Sequence, residues 1–310
     1  MKKALVLGAT GGIGFALVRE LSERGIAVVA FARKKEKLKR LFQYDQGVTI
    51  YSGDVLTKGD ILDAAAGADV IFHAVSFPYQ EWKEKHLACL ELLIQAAEKE
   101  QTKIVLADNI YAYGRQPVSK TIETTKKKPH TRKGKIRLEM ESRLKSSKVP
   151  SLIVHLPDLY GPNAENTILY ETLKKVNQNK PANYIGSMQI AREFLYTADG
   201  AKAMIELSLR NDAFNQNWNI PAAHPITGED ILAILRREVG YQKCVRTVSK
   251  NMIRFIGLFQ PAMREVVEMM YLTEEPVVLS GRKYETEIGP VPKTPYQVGL
   301  IRTLDWMKMK

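Results

Sequence analysis

Short apolar runs alternate with amphipathic stretches along the first half of the chain. The run "KALVLGA" is followed at once by glycines, and "GFALVRELSERG" then shows helical spacing up to a glycine typical of a helix end. Further apolar runs of strand length are separated by helical or turn-rich stretches. The predicted strands are "KALVLGA", "IAVVAFA", "VTIYSGD", "ADVIFHAVS", "TKIVLADN" and "PSLIVHLPD".

This alternation predicts an α/β fold with a doubly wound parallel sheet, a Rossmann domain. Nearly continuous apolar strands separated by helices indicate a parallel sheet that is covered on both faces. Ligands then bind in the crevice at the carboxyl ends of the strands. We assign residues 1–163 to this domain, with 188–222 returning to it. Residues 164–187 and 223–310 form a smaller C-terminal lobe that binds the substrate.

The second half of the chain has a looser pattern. Helices are predicted over residues 199–210, 227–238 and 251–270, with short strands such as "WNIP" between them. The stretch "FIGLFQPAMREVVEMMYL" is apolar and rich in methionine, which favours core packing over a hydrophobic substrate pocket. The pattern does not specify which substrate this lobe binds.

Composition is that of an ordinary globular protein, with 45% hydrophobic and 26% charged residues among 310. No apolar run reaches the roughly 18 residues that span a bilayer, so no membrane partner is expected. The apolar stretch "ALVLGA" near the N-terminus is better explained by a buried first strand than by a signal peptide. Cys89 and Cys244 are too few for a metal site or a disulfide framework, and a reducing cytoplasm fits them.

The net charge of +12 comes largely from two clusters, "RKKEKLKR" at residues 33–40 and "KKKPHTRKGKIR" at residues 126–137. Such runs are compatible with nucleic acid binding. Solvated helix faces and a loop are the favoured explanation, because charge runs usually lie on the surface. A third possibility is that part of each cluster faces a phosphorylated cofactor or substrate.

The segment "LGATGGIG" predicts a dinucleotide site between the first strand and the first helix. Gly8 lets the chain turn, Gly11 lets a pyrophosphate approach, and Gly14 lets helix and strand pack closely. The amides at the helix N-terminus favour an anion. The residues predicted to line this loop are Gly8, Thr10, Gly11, Gly12, Ile13 and Gly14.

The end of the second strand indicates which cofactor fits. An acidic residue there binds the ribose hydroxyls of NAD, whereas arginine accommodates the 2′-phosphate of NADP. Here the strand ends with Arg33 and Lys34 and no acid follows directly. We therefore expect NADP, and NAD remains possible if Arg33 is only a surface residue.

Several motifs in order resemble the extended short-chain dehydrogenase/reductase superfamily, the NAD-dependent epimerase/dehydratase group. They are "GATGGIG", "GDV", "VIFHAVS", "LPDLYGP", "REFLYTADGAKAM" and "WNIPAAHPIT", and they cover nearly the whole chain. The resemblance implies that Asp54 contacts the adenine. It further implies that the cofactor is lined by Val55, His73, Ala74, Val75 and Pro157.

The chain departs from this family at the catalytic residues. The family has a serine four residues before the tyrosine of a "YG" pair, and Asn109 stands there. The family motif Tyr-x-x-x-Lys becomes Thr131 followed by Lys135. The resemblance implies that Lys135 holds the nicotinamide ribose, and the alternative is an ion pair with Glu139.

Of the remaining candidates for catalysis, Tyr111 is the best replacement acid, because it follows the same strand end as the missing serine. Asn109 can polarise a carbonyl by hydrogen bonding. Thr131 can orient a substrate, but an aliphatic hydroxyl is a very weak acid. Tyr113 is expected to be structural, and His130 is a further candidate within a basic stretch.

These residues favour a reductase over the other activities of the family. Dehydration needs a carboxylate near the missing serine, and "NIYAY" has none. Reduction of a small carbonyl or sugar-derived substrate requires only hydride transfer and one proton donor. The alternatives are a non-catalytic NAD(P)-binding sensor and, with the net charge as its only support, an RNA-binding family member. A homodimer is a family expectation.

Overall fold

The structure, a computed structural model, describes residues 1–309, apart from the side chains of residues 261 and 262. Its longer strands follow the predicted order. They are β1 (Lys3–Leu7), β2 (Ala27–Ala32), β3 (Val48–Ser52), β4 (Val70–His73), β5 (Lys103–Asn109) and β6 (Ser151–Leu156). The later strands are short. They are β7 (Asp158–Tyr160), β8 (Ala182–Ile185), β9 (Phe194–Tyr196), β10 (Gln216–Asn219) and β11 (Val245–Val248).

Helices connect the strands and cover both faces of the sheet. In the first half they are α1 (Gly12–Glu23), α2 (Lys35–Phe42), α3 (Lys58–Ala65), α4 (Trp82–Glu100) and α5 (Arg132–Ser146). In the second half they are α6 (Tyr170–Asn177), α7 (Thr197–Ser208), α8 (Gly228–Val239), α9 (Lys250–Ile256), α10 (Pro261–Val267), α11 (Arg282–Glu287) and α12 (Tyr296–Lys308). Short 3-10 turns lie at Tyr79–Glu81, Ile110–Tyr113, Asn211–Ala213 and Met270–Thr273. Within residues 1–309, no helix is both long and apolar enough to cross a bilayer.

The central sheet is parallel and has the order β10-β6-β5-β4-β1-β2-β3. The order reverses between β1 and β4, so a crevice opens at the carboxyl ends of these two strands. Alternate residues of β1 face two separate cores. Ala4 and Val6 pack with residues of α1 and α7, and Leu5 and Leu7 with residues of α3 and α4. The predicted doubly wound Rossmann sheet is confirmed.

Two small parallel pairs organise the second half of the chain. β7 pairs with β9, and β8 pairs with β11. The second pair joins the stretch after residue 164 to the C-terminal part of the chain, where α12 packs against α6 and α8. β10 returns to the central sheet beside β6.

The helix predicted over residues 251–270 is wrong. The chain instead forms α9, a turn around Gly257, α10 and a 3-10 turn. A Cβ on Gly257 would lie 3.2 Å from both the carbonyl oxygen of Arg254 and the backbone nitrogen of Arg264, so the two helices approach closely there. The predicted core packing holds for Met269 to Leu272, which are buried, but Phe255 to Phe259 are largely exposed.

Buried charges help to hold α5 against the sheet. An Arg137 guanidinium nitrogen lies 3.4 Å from the Asp108 carboxylate, and the guanidinium lies 4.6 Å from the centre of the Trp82 ring. One helical turn further, Glu141 accepts from Lys127 and lies 3.2 Å from Nε2 of His155. Burial opposes ionisation of Glu141, but the His155 and Lys127 contacts outweigh it and lower its pKa to about 2.

The ammonium of Lys127 completes this buried group. Asp108, Glu141 and His155 bring potential metal-ligand atoms within 4.8 Å of one another. Nζ of Lys127 lies 2.8 Å from Nε2 of His155 and contacts both carboxylate oxygens of Glu141. The lysine therefore supplies the positive charge of the cluster, and it ties the loop before α5 to β6.

Replacing Glu141 with Ala should lower the free energy of unfolding by about 3 kcal/mol, because Lys127 and His155 would lose their buried partner. Glu139→Ala, on the exposed face of the same helix, should cost less than about 1 kcal/mol. The pKa of Glu141 is lowered to about 2 in the folded protein. Its contribution is therefore complete above the unfolded value near pH 4.3 and is lost as the pH falls towards 2. Urea unfolding at pH 7 and pH 3 measures both effects, and equal losses for the two variants would contradict this role.

Candidate active site

The loop after β1 has the geometry of a phosphate-binding turn. Gly8 has φ +81°, and a Cβ there would lie 2.5 Å from the carbonyl oxygen of Ala74. A Cβ on Gly14 would lie 2.1 Å from the carbonyl oxygen of Gly8. Gly11 is exposed at the N-cap of α1, so its backbone is open to a ligand. The loop therefore fits a dinucleotide, with Gly8 and Gly14 required by packing and Gly11 by access.

The remaining loop residues support the turn. Gly12 packs against Ala164, because a Cβ on it would lie 2.8 Å from the Cα of that residue. Ile13 is buried in the core beneath the loop. The carbonyl of Thr10 accepts a hydrogen bond of 3.0 Å from the Asn163 side chain. These contacts join the loop to the segment that follows β7.

Two positive side chains stand at the end of β2, next to this loop. Arg33 and Lys34 are exposed, and no acidic side chain among the described residues forms an ion pair with Arg33. At the end of β3, the Asp54 carboxylate accepts from the amide of Leu56 at 3.0 Å, and Val55 is buried. The edge that would face the adenosine half of a cofactor thus carries two cations and one half-buried carboxylate.

The residues after β4 divide between two faces. Ala74 lies against the glycine loop and is half-buried, as is Val75. His73 is fully buried on the face covered by α4, and burial and the charge of Arg137 lower its pKa to about 3. Its ring is therefore neutral. Pro157 is buried between β6 and β7.

A pair of tyrosine hydroxyls marks the carboxyl end of β5. The hydroxyl oxygens of Tyr79 and Tyr111 lie 2.9 Å apart, and the Tyr111 ring stacks near Trp82. Burial raises the pKa of Tyr111 well above its ordinary value. Tyr79 and Asp158 add to this rise, and Arg137 opposes it. The pair is protonated at neutral pH and can donate.

Two predicted site residues, and the neighbouring Tyr113, have local structural roles. Asn109 accepts from the amide of Tyr111 at 3.0 Å and so caps the 3-10 turn. Thr131 caps α5, because its hydroxyl oxygen accepts a hydrogen bond of 3.0 Å from the amide of Gly134. Tyr113 is buried and donates to Asn219 at 2.8 Å, in line with the expected structural role. His130 is exposed and packs on Tyr271.

The inward face of α5 lies two residues away from the predicted one. Lys133 and Arg137 are buried, whereas Lys135 is exposed on the opposite side of the helix. Residues two apart on a helix differ by about 200° in direction, so they cannot share a face. Glu139 pairs with Arg143, so the alternative ion pair between Lys135 and Glu139 is absent among the described residues. Arg137, and not Lys135, is the buried cation on this helix face, and the cofactor role of Lys135 stays a prediction.

Lys133 joins this helix to α10. Its ammonium lies 2.6 Å from the Glu265 carboxylate and 2.5 Å from that of Glu268, and 4.8 Å from the centre of the Tyr79 ring. A Cβ on Gly134 would lie 2.5 Å from the carbonyl oxygen of Tyr111, so the start of α5 packs directly on that tyrosine. The inward position at the start of α5 is thus occupied by a cation in an ion pair.

A buried arginine lies on the side of the crevice towards the second half of the chain. Arg192 lies between the rings of Tyr184 and Phe194 and donates to the carbonyl of Ile185 at 2.8 Å. Its Nε and one terminal nitrogen have no hydrogen-bond partner among the described residues. Burial raises the pKa of Asp158, and the charge of Arg192 opposes that rise. The guanidinium therefore has two buried donors that no described side chain satisfies.

The sequence interpretation missed five residues: Tyr79, Lys133, Arg137, Asp158 and Arg192. One signal was available for Arg137. Residues 133, 137, 140 and 144 form a single helical stripe that ends in Met140 and Leu144, so the inward face of α5 can be read from its apolar end. Tyr79 and Arg192 come from distant segments, and no spacing rule joins them to the site.

The geometry of this nucleotide site agrees with a family-level match. A family profile described as "NAD(P)H-binding" matches residues 8–194. The chain belongs to the NAD(P)H-binding family. One relative of this NAD(P)H-binding protein, an uncharacterised chloroplastic protein of Arabidopsis thaliana, is 32% identical over 120 residues. The match covers 36% of this chain and 43% of the relative, less than half of that protein's length.

Solved structures with this fold include sugar-nucleotide epimerases and dehydratases. UDP-glucuronic acid 4-epimerase from Bacillus cereus, in complex with NAD, has a TM-score of 0.80 at 18% identity, covering 99% of both chains. UDP-glucose 4-epimerase from Thermotoga maritima, with UDP-glucose, has a TM-score of 0.79 at 17% identity and the same coverage. DesIV, a dTDP-glucose 4,6-dehydratase from Streptomyces venezuelae with NAD and TYD bound, has a TM-score of 0.79 at 18% identity, covering 99% of this chain and 97% of that one. These likenesses confirm the fold that the resemblance to the extended short-chain dehydrogenase/reductase superfamily implies.

Arg137→Met should weaken NADPH binding about tenfold or more, because it removes the buried positive charge at the end of the crevice. Lys135→Met, which removes a charge from the outward face of the same helix, should leave binding unchanged. Arg137→Lys should retain most of the affinity and controls for folding, since Asp108 keeps a cationic partner. Fluorescence titration with NADPH measures the three affinities. A greater loss of affinity in the Lys135 variant would show that Lys135, and not Arg137, binds the cofactor.

Proposed function

We propose that the protein is an NADP-dependent oxidoreductase that reduces a carbonyl group of a small or sugar-derived substrate. The observation that carries this proposal is the hydroxyl pair of Tyr79 and Tyr111, with oxygens 2.9 Å apart at the carboxyl end of β5. A proton donor at this edge of a Rossmann sheet stands beside the place where the nicotinamide half of a cofactor binds. Tyr111 is the proposed catalytic acid.

The chain supplies the features that would hold the cofactor. The close backbone contacts of Gly8 and Gly14 leave room for a pyrophosphate at the start of α1, and Arg33 would pair with the 2′-phosphate. Arg137, and not Lys135, would bind the nicotinamide ribose. When bound, NADPH supplies the hydride.

The protonation state of Tyr111 suits the reductive direction. Burial raises its pKa well above the ordinary value, so the phenol is protonated across neutral pH, and the positive charge of Arg137 opposes that rise and so favours release of the proton to a carbonyl oxygen. Tyr79 is placed to donate a proton to the Tyr111 phenolate through the hydrogen bond between the two hydroxyls. Arg137 carries positive charge near the pair, which stabilises the phenolate that forms.

Arg192 supports a substrate with an anionic part. A buried guanidinium with two unpartnered nitrogens is costly unless a ligand completes its hydrogen bonds. The neighbours of this fold that are named as acting on sugar nucleotides fit such a substrate class. We propose a sugar-derived carbonyl compound that carries a phosphate or carboxylate.

A non-catalytic NAD(P)-binding sensor is the second candidate. It is favoured by Lys133, which occupies the inward position on α5 and is held by two carboxylates. Under this alternative the cofactor binds with the same affinity, and no carbonyl compound is turned over.

Tyr111→Phe should lower kcat about 100-fold or more and leave NADPH affinity unchanged, because only the proton donor is removed. Tyr113→Phe is the matched control. It removes the hydrogen bond to Asn219, so it should cost about 1 kcal/mol of stability and little turnover. NADPH oxidation against a panel of phosphorylated and uncharged carbonyl compounds measures both. Unchanged turnover in the Tyr111 variant would remove it from the mechanism.

Arg33→Ala should weaken NADPH binding about 10-fold to 100-fold and leave NADH binding unaffected, since only the 2′-phosphate distinguishes the two cofactors. Arg40→Ala, another exposed residue of the same basic cluster, should change neither affinity. Titration of each variant and of the unaltered protein with NADPH and NADH gives the change in affinity of each variant for each nucleotide. Equal affinity of the unaltered protein for NADH and NADPH would contradict the assignment of Arg33.

A further inference from the structure

The helical hairpin formed by α9, its turn and α10 exposes an unusual amount of apolar surface. Five of the twelve large hydrophobic side chains that are exposed in the described part of the chain lie within residues 252–259. Their exposed fractions range from 37% for Ile256 to 75% for Phe259. The five are Met252, Phe255, Ile256, Leu258 and Phe259. Exposed apolar residues are normally scattered, so a cluster marks an interaction surface.

Buried contacts and hydrogen bonds hold the hairpin in a conformation that leaves these side chains exposed to solvent. Ile253 is the buried residue of α9 and anchors the helix. Arg264 donates to the carbonyl of Gly257 at 2.5 Å and to that of Leu258 at 3.0 Å. These two hydrogen bonds stabilise the turn between α9 and α10. The rings of Phe255 and Phe259 meet edge to face with centres 5.8 Å apart, so the apolar tip is one contiguous group.

The charge near the tip that no ion pair compensates is positive, because Glu265 and Glu268 are paired with Lys133. Residues 240–264 contain five Lys and Arg and no Asp or Glu. Lys243, Arg246 and Arg254 are exposed, and no acidic side chain among the described residues forms an ion pair with them. The chain as a whole has a net charge of +12, which includes these residues. An occupant of this face must therefore be apolar where it meets the tip and negative around it.

We propose that this hairpin binds an anionic lipid surface, with the apolar tip inserted at the boundary between headgroups and acyl chains. Apolar side chains flanked by Lys and Arg are the pattern of interfacial segments that lie on a membrane without spanning it. A second copy of this chain would bring the same positive charge to the face. Nucleic acid stacks on aromatic rings, but Met252, Ile256 and Leu258 offer none.

This inference goes beyond the proposed reaction and does not depend on it. The expectation of no membrane partner came from a search for spanning segments, and a surface hairpin of this kind is invisible to that search. The hairpin also borders the crevice, since Glu265 and Glu268 of α10 hold Lys133 of α5.

The test is sedimentation of the full chain with vesicles, without cofactor. We expect binding to mixed phosphatidylglycerol–phosphatidylcholine vesicles, little binding to pure phosphatidylcholine, and loss of binding in about 1 M salt. The double variant Phe255→Ser with Phe259→Ser should bind at least about tenfold more weakly. The matched control is Tyr44→Ser, which removes an 88% exposed aromatic ring outside the hairpin and should bind like the unaltered chain.

Thermal melting checks that both variants fold, which their exposure predicts. No binding to anionic vesicles, or equal binding by the double variant, overturns the proposal. Self-association in the ultracentrifuge that the double variant loses, without vesicle binding, would make the face an interface between copies and also overturn it. RNA binding that the double variant loses, again without vesicle binding, would overturn it as well.

Discussion

The guanidinium of Arg137 lies between the carboxylate of Asp108 and the ring of Trp82, and this contact sets the rotation of α5 about its axis. A buried charge must keep a partner, so the helix cannot turn by two residues without breaking the pair. With Arg137 inward, Lys133 faces the carboxylates of α10, and Gly134 lets the helix start against Tyr111. The Tyr79–Tyr111 pair, the α9–α10 hairpin and the buried Lys127 cluster all contact α5 in that orientation.

The two ends of the site depend on different parts of the structure. The cofactor end depends on backbone contacts of Gly8 and Gly14. The reacting end depends on side chains, which can vary without a change of fold. There Lys133, in an ion pair, stands at the inward position of α5, and the hydroxyl pair of Tyr79 and Tyr111 lies at the strand end where we propose the proton donor.

Charge has three separate uses in this molecule. Lys127 and Arg137 compensate buried carboxylates and hold α5 to the sheet. Arg33 stands exposed beside the nucleotide loop, where a phosphate would meet it. The acid-free stretch of residues 240–264 surrounds an apolar tip. A single net charge of +12 therefore says little until each cation is placed, because a buried cation and a surface cation have opposite energetic roles.

The sequence alone determined the sheet, its strands and the nucleotide loop. Strand-length apolar runs and glycine spacing are local patterns, and the close contact between Gly14 and Gly8 acts over few residues, so they can be read without the fold. Tertiary structure decided the rest. The register of α5 depended on a partner, Asp108, that lies far away in the chain, and Tyr79 meets Tyr111 only because two strand ends are neighbours in the sheet. The break of the helix predicted over residues 251–270, and the exposure of its first half, followed from what that segment packs against, which no periodicity records.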